Sequence, residues 1–278
     1  MICKTINLSD DGVARLDVLA MPIYEPKSRM WQSNERPVAV IVPGGSYLYC
    51  SDRERLPIAL KFLAEGYQVF MLNYHVGNES DYPIPFRDLA KAIKHIKDNS
   101  IEYAIDSGDI TVIGFSAGGH LAGTYGALTK NERFQKDMGM TYEDLKIHQM
   151  VLGYPAINLK PIAEAIQHYK AFDIVGKLFT TYDEIKDGLA QAHKEMPKTF
   201  VFHSLDDNTV PASHVIEYVN HLVKLGCDVE FHLFNEGGHG YSTGDRLSNL
   251  DDGIFPTRAK AWLELCFAWL ETIRRKDD

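Results

Sequence analysis

The stretch Ile110 to His120, Ile-Thr-Val-Ile-Gly-Phe-Ser-Ala-Gly-Gly-His, constrains this chain more than any other. Ile110 to Ile113 are all β-branched, the pattern of a short strand buried on both faces. Gly114-Phe115-Ser116-Ala117-Gly118 then matches G-x-S-x-G, and Gly119 to Leu128 can continue as a helix rich in Gly and Ala. A sharp strand-to-helix turn forces its central residue into strained backbone geometry. Small neighbours let strand and helix approach closely enough to permit it. Such a turn lifts the Ser116 hydroxyl clear of a sheet and sets it at a helix N-terminus. There the free N–H groups and the dipole favour a developing negative charge. The motif is cheap to match by chance, so its weight comes from the strand before it, the helix after it and the groups elsewhere that fit.

Strands and helices alternate around this stretch. Thr5 to Leu8 and Ala14 to Leu19, separated by Asp10-Asp11-Gly12, read as an antiparallel hairpin at a sheet edge. Strands are expected at Val38 to Val42, Tyr67 to Tyr74, His148 to Tyr154, Thr199 to His203 and Val229 to Phe234. Helices are expected at Ile58 to Glu65, Phe86 to Asp98, Ser213 to Lys224 and Arg258 to Arg274, the last with Trp262, Leu265 and Trp269 on its apolar side. Ser51-Asp52-Arg53-Glu54 has the form of a capping box, and Pro57 predicts a kink or a second helix start. The pattern is that of a mostly parallel sheet covered on both faces. Residues 156–197 break the rhythm, with one helical segment near Tyr182 to His193. That length is too great for a plain connection and reads as a helical cap inserted into a single domain spanning 1–278.

In an open parallel sheet, ligands bind beyond the carboxyl ends of the strands. Four loops leave such ends, and each carries a group that acyl transfer needs. Ser116 is the candidate nucleophile, and a serine hydroxyl needs an adjacent base. Histidine suits that task, because its pKa lies near the working pH. Of the chain's 11 histidines, His239 sits in a Gly-rich loop, Gly237-Gly238-His239-Gly240, after the last strand. His120, one turn along the helix from Ser116, and His203, at a strand end, read as packing residues. The imidazole needs a carboxylate to fix its tautomer, and Asp206 or Asp207 supplies one in the order Ser, Asp, His. Gly44-Gly45-Ser46 after an early strand, with Ala117 following the nucleophile, offers backbone N–H donors for an oxyanion. The formal net charge of −9 argues against nucleic acid or an anionic membrane as partner. The N-terminus lacks the apolar core of a signal peptide, and no apolar run approaches a membrane span. With four scattered cysteines read as reduced thiols, the expected compartment is the cytoplasm. No H-x-x-E-H, H-E-x-x-H or phosphate loop occurs, so no metal or organic cofactor is expected.

With these residues in place the chain resembles the α/β-hydrolase superfamily. Within it, the chain is similar to the small esterases related to acetyl xylan esterases and bifunctional feruloyl/acetyl xylan esterases. The resemblance is carried by Pro43-Gly44-Gly45-Ser46-Tyr47, Arg53-Glu54 with Pro57, Gly66-Tyr67, Asn73-Tyr74, Gly114 to His120, Tyr154-Pro155, Asp207 with Val210-Pro211, and Gly238-His239-Gly240. It implies an α/β-hydrolase fold and selects Asp207 as the carboxylate, from its place before Val210-Pro211. Pro43 and Ser46 depart from the H-G-G-G pattern of related lipases, yet Gly45 and Ser46 keep their amides. The expected activity is a serine ester hydrolase on a small-molecule ester, removing short acyl groups, acetyl above all, from a sugar or other polar alcohol. A serine peptidase of the prolyl-oligopeptidase type and a non-catalytic binding protein are the alternatives. Tyr47, Tyr49 and Tyr154 are the candidates for substrate contact, and the charges Lys160, Glu164, His168, Lys170, Asp183, Glu184, Lys186 and Asp187 make the cap unlike an apolar lipid-facing surface.

Overall fold

The computed structural model describes residues 1–22, 35–159, 182–248 and 258–277. Among the described residues, eight strands form one sheet in the order β1-β2-β4-β3-β5-β6-β7-β8. β1 (Ile2–Asn7) and β2 (Arg15–Ala20) are the expected antiparallel edge hairpin, in the register Ile2 opposite Ala20. Gly12 takes the left-handed conformation its turn requires, φ 70°. β2 also runs antiparallel to β4 (Gln68–Asn73). β4, β3 (Arg36–Val42), β5 (Ile105–Phe115), β6 (Gln149–Gly153), β7 (Lys198–Ser204) and β8 (Val229–Phe234) are mutually parallel.

The alternation of side chains along the strands builds two cores. On β3, Val38, Val40 and Val42 face one layer, while Ala39 and Ile41 face the other. The first layer holds α2 (Ile84–Asp98), the elbow helix and the helix before β8, through Leu89, Ile93, Leu121, Tyr125, Val215 and Leu222. The second holds α1 (Leu56–Ala64) and the C-terminal helix, through Ile58, Phe62, Trp262 and Trp269. The Trp262 ring stacks on Phe202 of β7 at 4.1 Å and 10°. Pro57 marks a second helix start, as one of the two expected outcomes had it: a 3₁₀ turn at Asp52–Glu54 ends before α1 begins.

Beyond α2 come α3 (Ser100–Tyr103), α4 (Ala117–Leu128) behind the elbow, α5 (Glu132–Met138) and α6 (Tyr142–Leu145). Of the expected cap, residues 160–181 lie outside the described residues, and with them Lys160, Glu164, His168 and Lys170. The single helical segment expected near Tyr182 to His193 is instead a 3₁₀ turn, Asp183–Lys186, followed by α7 (Gly188–Gln191). Asp187 is the reason for the break. Its carboxylate accepts the Leu189 and Ala190 amides, which starts a new helix there. The long helices α8 (Ala212–Leu225) and α9 (Trp262–Asp277) complete the fold. No helix among the described residues is long and apolar enough to cross a membrane.

Candidate active site

Parallel neighbours put the ends of β3, β5, β6, β7 and β8 along one edge of the sheet. The loops that leave them bring the candidate residues together. Ser116 is the elbow between β5 and α4, with φ 50° and ψ −117°, a region that non-glycine residues rarely enter. The backbone holds it there. Its amide donates to Gly153 O at 3.0 Å, and its carbonyl accepts from His120 N at 3.1 Å and Ala156 N at 3.0 Å. A methyl group on Gly118 would lie 2.2 Å from the Val42 carbonyl oxygen, so only glycine lets β3 and α4 approach this closely.

The Nε2 of His239 stands 2.9 Å from Ser116 Oγ, and its Nδ1 stands 2.7 Å from Asp207 Oδ2. An ionised carboxylate only accepts, so Nδ1 carries the proton and Nε2 is left to accept from the serine hydroxyl. Asp207 is fixed in turn: its Oδ1 accepts the amides of Thr209 and Val210, both at 2.8 Å. Asp206 turns the other way and accepts the Gly238 amide at 2.9 Å. The register that the sequence left open is therefore resolved in space, with Asp207 on the imidazole and Asp206 on the backbone beside it.

The two rival histidines are buried. His120 Nε2 donates to Ile185 O at 2.8 Å, which leaves Nδ1 to accept from Tyr47 Oη at 2.8 Å. A neutral ring satisfies both, and burial pushes its pKa down to about 4. His203 donates from Nε2 to Val210 O at 3.0 Å, and burial lowers its pKa too.

The turn after β3 has three consecutive left-handed residues, Gly45 at φ 124°, Ser46 at 57° and Tyr47 at 59°. Its inward bonds run from Leu48 N to Gly45 O at 2.8 Å, Ser51 N to Gly44 O at 3.0 Å and Gly77 N to Tyr47 O at 2.7 Å. Gly44 presses on the elbow: a methyl group there would sit 2.9 Å from Ser116 Cβ. Its amide is taken by Glu54 Oε2 at 2.7 Å. The candidate donors of the turn thus remain Gly45 and Ser46. Ala117 joins them at the first position of α4, where amides have no intrahelical acceptor.

Two of the three tyrosines expected at the substrate are placed otherwise. Tyr47 is 1% exposed and bonds His120, so its ring packs behind the turn. Tyr154 is fully buried and its hydroxyl donates to Glu54 Oε1 at 2.7 Å. Tyr49, 60% exposed, alone of the three presents its ring outward. Both buried rings follow a strand end, and a sequence pattern does not tell which side of a turn a ring takes. The capping box expected at Ser51 is also absent as such. Ser51 makes no side-chain cap bond, and Glu54 reaches instead to Gly44 and Tyr154. Burial raises the Glu54 carboxyl above its usual range, against hydrogen bonds from Tyr154 and Gly44 that favour the anion.

Residues 21–222 match the family model BD-FAE. Over 98% of both chains, the fold and sequence are similar to MGS-M1, an alpha/beta hydrolase enzyme from a Medee basin deep-sea metagenome library, at TM-score 0.75 and 34% identity. The carboxylesterase Cest-2923 of Lactobacillus plantarum WCFS1 shares the fold at TM-score 0.86 and 23% identity, again over 98% of both. An acetylxylan esterase of Xylanibacter ruminicola is 25% identical over 86% of this chain and 46% of its own length. Endo-1,4-beta-xylanase B of Butyrivibrio fibrisolvens is 24% identical over 76% of this chain and 33% of its own. The chain therefore spans a third to a half of these curated relatives. A match over most of the chain, on a sheet with this strand order and this elbow, identifies it: the chain belongs to the BD-FAE family and has the α/β-hydrolase fold.

Proposed function

We propose that the protein is a serine carboxylic-ester hydrolase working through an acyl-enzyme. The observation that carries this reading is the unbroken line from Ser116 Oγ through His239 to Asp207, at 2.9 and 2.7 Å. His239 Nε2 takes the serine proton as Oγ attacks the acyl carbonyl, and Asp207 stabilises the imidazolium that forms. The amides of Gly45, Ser46 and Ala117 receive the oxyanion. The alcohol leaves with the proton from His239. Water, activated by the same ring, then releases the acyl group. One domain spanning 1–278, with an insertion over 156–197, carries these groups.

Short acyl esters of a sugar or another polar alcohol are the substrate class. The acetylxylan esterase relative and the exposed Tyr49 ring support it, since a flat aromatic face suits the face of a pyranose. The test is hydrolysis of p-nitrophenyl acetate and of acetylated xylo-oligosaccharides by the wild type and by Ser116→Ala, with fluorophosphonate labelling of both. Turnover and labelling that persist in folded Ser116→Ala would end the reading. A peptide panel hydrolysed in place of the esters would move it to the peptidases.

A further inference from the structure

Glu54 is a buried carboxylate that the scheme above leaves unused, and it touches both halves of the site. It is 3% exposed. On one side Oε2 accepts the Gly44 amide, the residue that presses on Ser116. On the other Oε1 accepts the Tyr154 hydroxyl. That hydroxyl in turn accepts the Ser242 amide at 3.1 Å, three residues past His239. The Tyr154 ring meets the His239 ring edge-on at 5.0 Å between centroids. The Ser242 carbonyl accepts from Trp262 Nε1 at 2.8 Å, so the tie continues into α9.

A carboxylate out of water is costly unless it is well hydrogen-bonded, and no basic side chain bonds this one among the described residues. The turn it holds is itself strained, with φ positive at Gly45, Ser46 and Tyr47. Tyr154 is strained as well, at φ 35°. A strained turn keeps one geometry only when its neighbours over-determine it, and oxyanion donors work only when held in place before the reaction. Both Glu54 oxygens accept, which matches the ionised form and not an amide, since an amide would set N–H against N–H or O–H.

We propose that Glu54 is a positioning residue for acyl transfer: through Gly44 it fixes the turn carrying Gly45 and Ser46 against Ser116, and through Tyr154 it fixes the wall on which His239 stands. This rests on the esterase reading above. The groups facing Glu54 are Arg53 on its own turn, Tyr74 after β4, Tyr154 after β6 and His239 after β8. Those facing His239 are Ser116, Asp207 and Tyr154, with His203 behind Asp207.

Glu54→Gln keeps the shape and removes the charge and one acceptor. Measured per site titrated by burst release of p-nitrophenol, kcat should fall by about 10- to 100-fold with KM little changed. Glu54→Asp keeps two carboxylate acceptors but not the reach to both partners, so it should lose kcat per site as well. A purely structural role would lower the melting temperature and the number of active sites and leave kcat per site alone; that result overturns the proposal. If Glu54→Gln does not fold, Tyr154→Phe serves: it cuts the tie to Ser242, and an unchanged kcat per site overturns the proposal equally. Ser116→Ala separates the two claims. Inactive Ser116→Ala beside a wild-type-like Glu54→Gln removes only the role of Glu54, while active Ser116→Ala removes the esterase reading itself.

Discussion

Asp206 holds Gly238 by its amide at 2.9 Å, one residue ahead of the ring that Asp207 holds at 2.7 Å. Two adjacent aspartates thus grip the same loop at two points, one at the backbone and one at the imidazole. The consequence is a difference in what each can lose.

Asp207→Asn should cost on the order of 10⁴-fold in kcat, because an amide opposite Nδ1 no longer selects the tautomer that leaves Nε2 free to accept. Asp206→Asn keeps an oxygen for the Gly238 amide and should cost no more than about tenfold. Steady-state kcat for the two variants on one ester decides it. A larger loss at Asp206 would reverse the two roles.

Gly118→Ala tests the contact between elbow and turn. The added methyl would meet two consecutive backbone oxygens, 2.2 Å from Val42 O and 2.4 Å from Pro43 O, and backbone cannot swing aside as a side chain can. The end of β3 and α4 must part, at a cost of about 1–3 kcal/mol in stability. The shift carries the Gly45 and Ser46 amides away from Ser116, and a displacement near 1 Å lowers the rate by about 100-fold. Gly139→Ala is the control. Unlike the helical Gly118, it has positive φ, 67°, and open space around it, so it should lose stability alone. Urea melts and kcat on both variants separate the effects, and a Gly118→Ala enzyme with wild-type kcat would refute the argument.

The elbow was legible because its information is local: a β-branched run, three glycines and a serine dictate strand, turn and helix without help from distant residues. The mostly parallel sheet, covered on both faces, followed from the alternation of strands and helices. Glu54 was misread for the opposite reason. Ser51-x-x-Glu54 satisfies a local rule, but its true partners are Gly44, ten residues back, and Tyr154, 100 residues on. Tertiary bonds to a buried carboxylate outbid a cap in solvent. Tyr47 and Tyr154 were drawn to the substrate because they follow strand ends, where the side a ring takes is decided by packing. α5 and α6 escaped notice, although Asn131 and the Thr141–Asp144 capping box that start them were in plain view.

His120 gives a pH dependence with a definite sign. Its folded pKa, about 4, lies below the ordinary histidine value near 6.5. The unfolded chain therefore binds the proton more readily, and stability falls as pH drops below about 6.5, until the folded ring titrates near 4. Between pH 7 and pH 5 this one group removes about 2 kcal/mol. His120→Gln should be the weaker protein at pH 7, since it disturbs the bonds to Tyr47 and Ile185. The gap should narrow at pH 5, where the wild type carries the penalty and the variant does not. Urea midpoints at the two pH values measure it, and a gap that widens toward acid would show that the ring is charged in the fold.

Acyl length is the last test, and it concerns the substrate alone. A long apolar channel would gain ~0.8 kcal/mol for each buried CH₂, about fourfold in kcat/KM per carbon. Among the described residues, the turn beside Ser116 leaves no opening for one. Its own ring, Tyr47, is packed behind it and bonded to His120, which is bonded to Ile185, so three elements are locked together where a channel would need to open. Among the described residues, the Tyr49 ring and Leu205, next to Asp206, stand exposed, two separate apolar groups better suited to a sugar face than to a chain. We expect kcat/KM to fall from p-nitrophenyl acetate through butyrate to octanoate, and deacetylation of xylo-oligosaccharides to outpace that of a plain alkyl acetate. A steady rise toward octanoate would assign the protein to long-chain esters while leaving Ser116, His239 and Asp207 in their proposed roles.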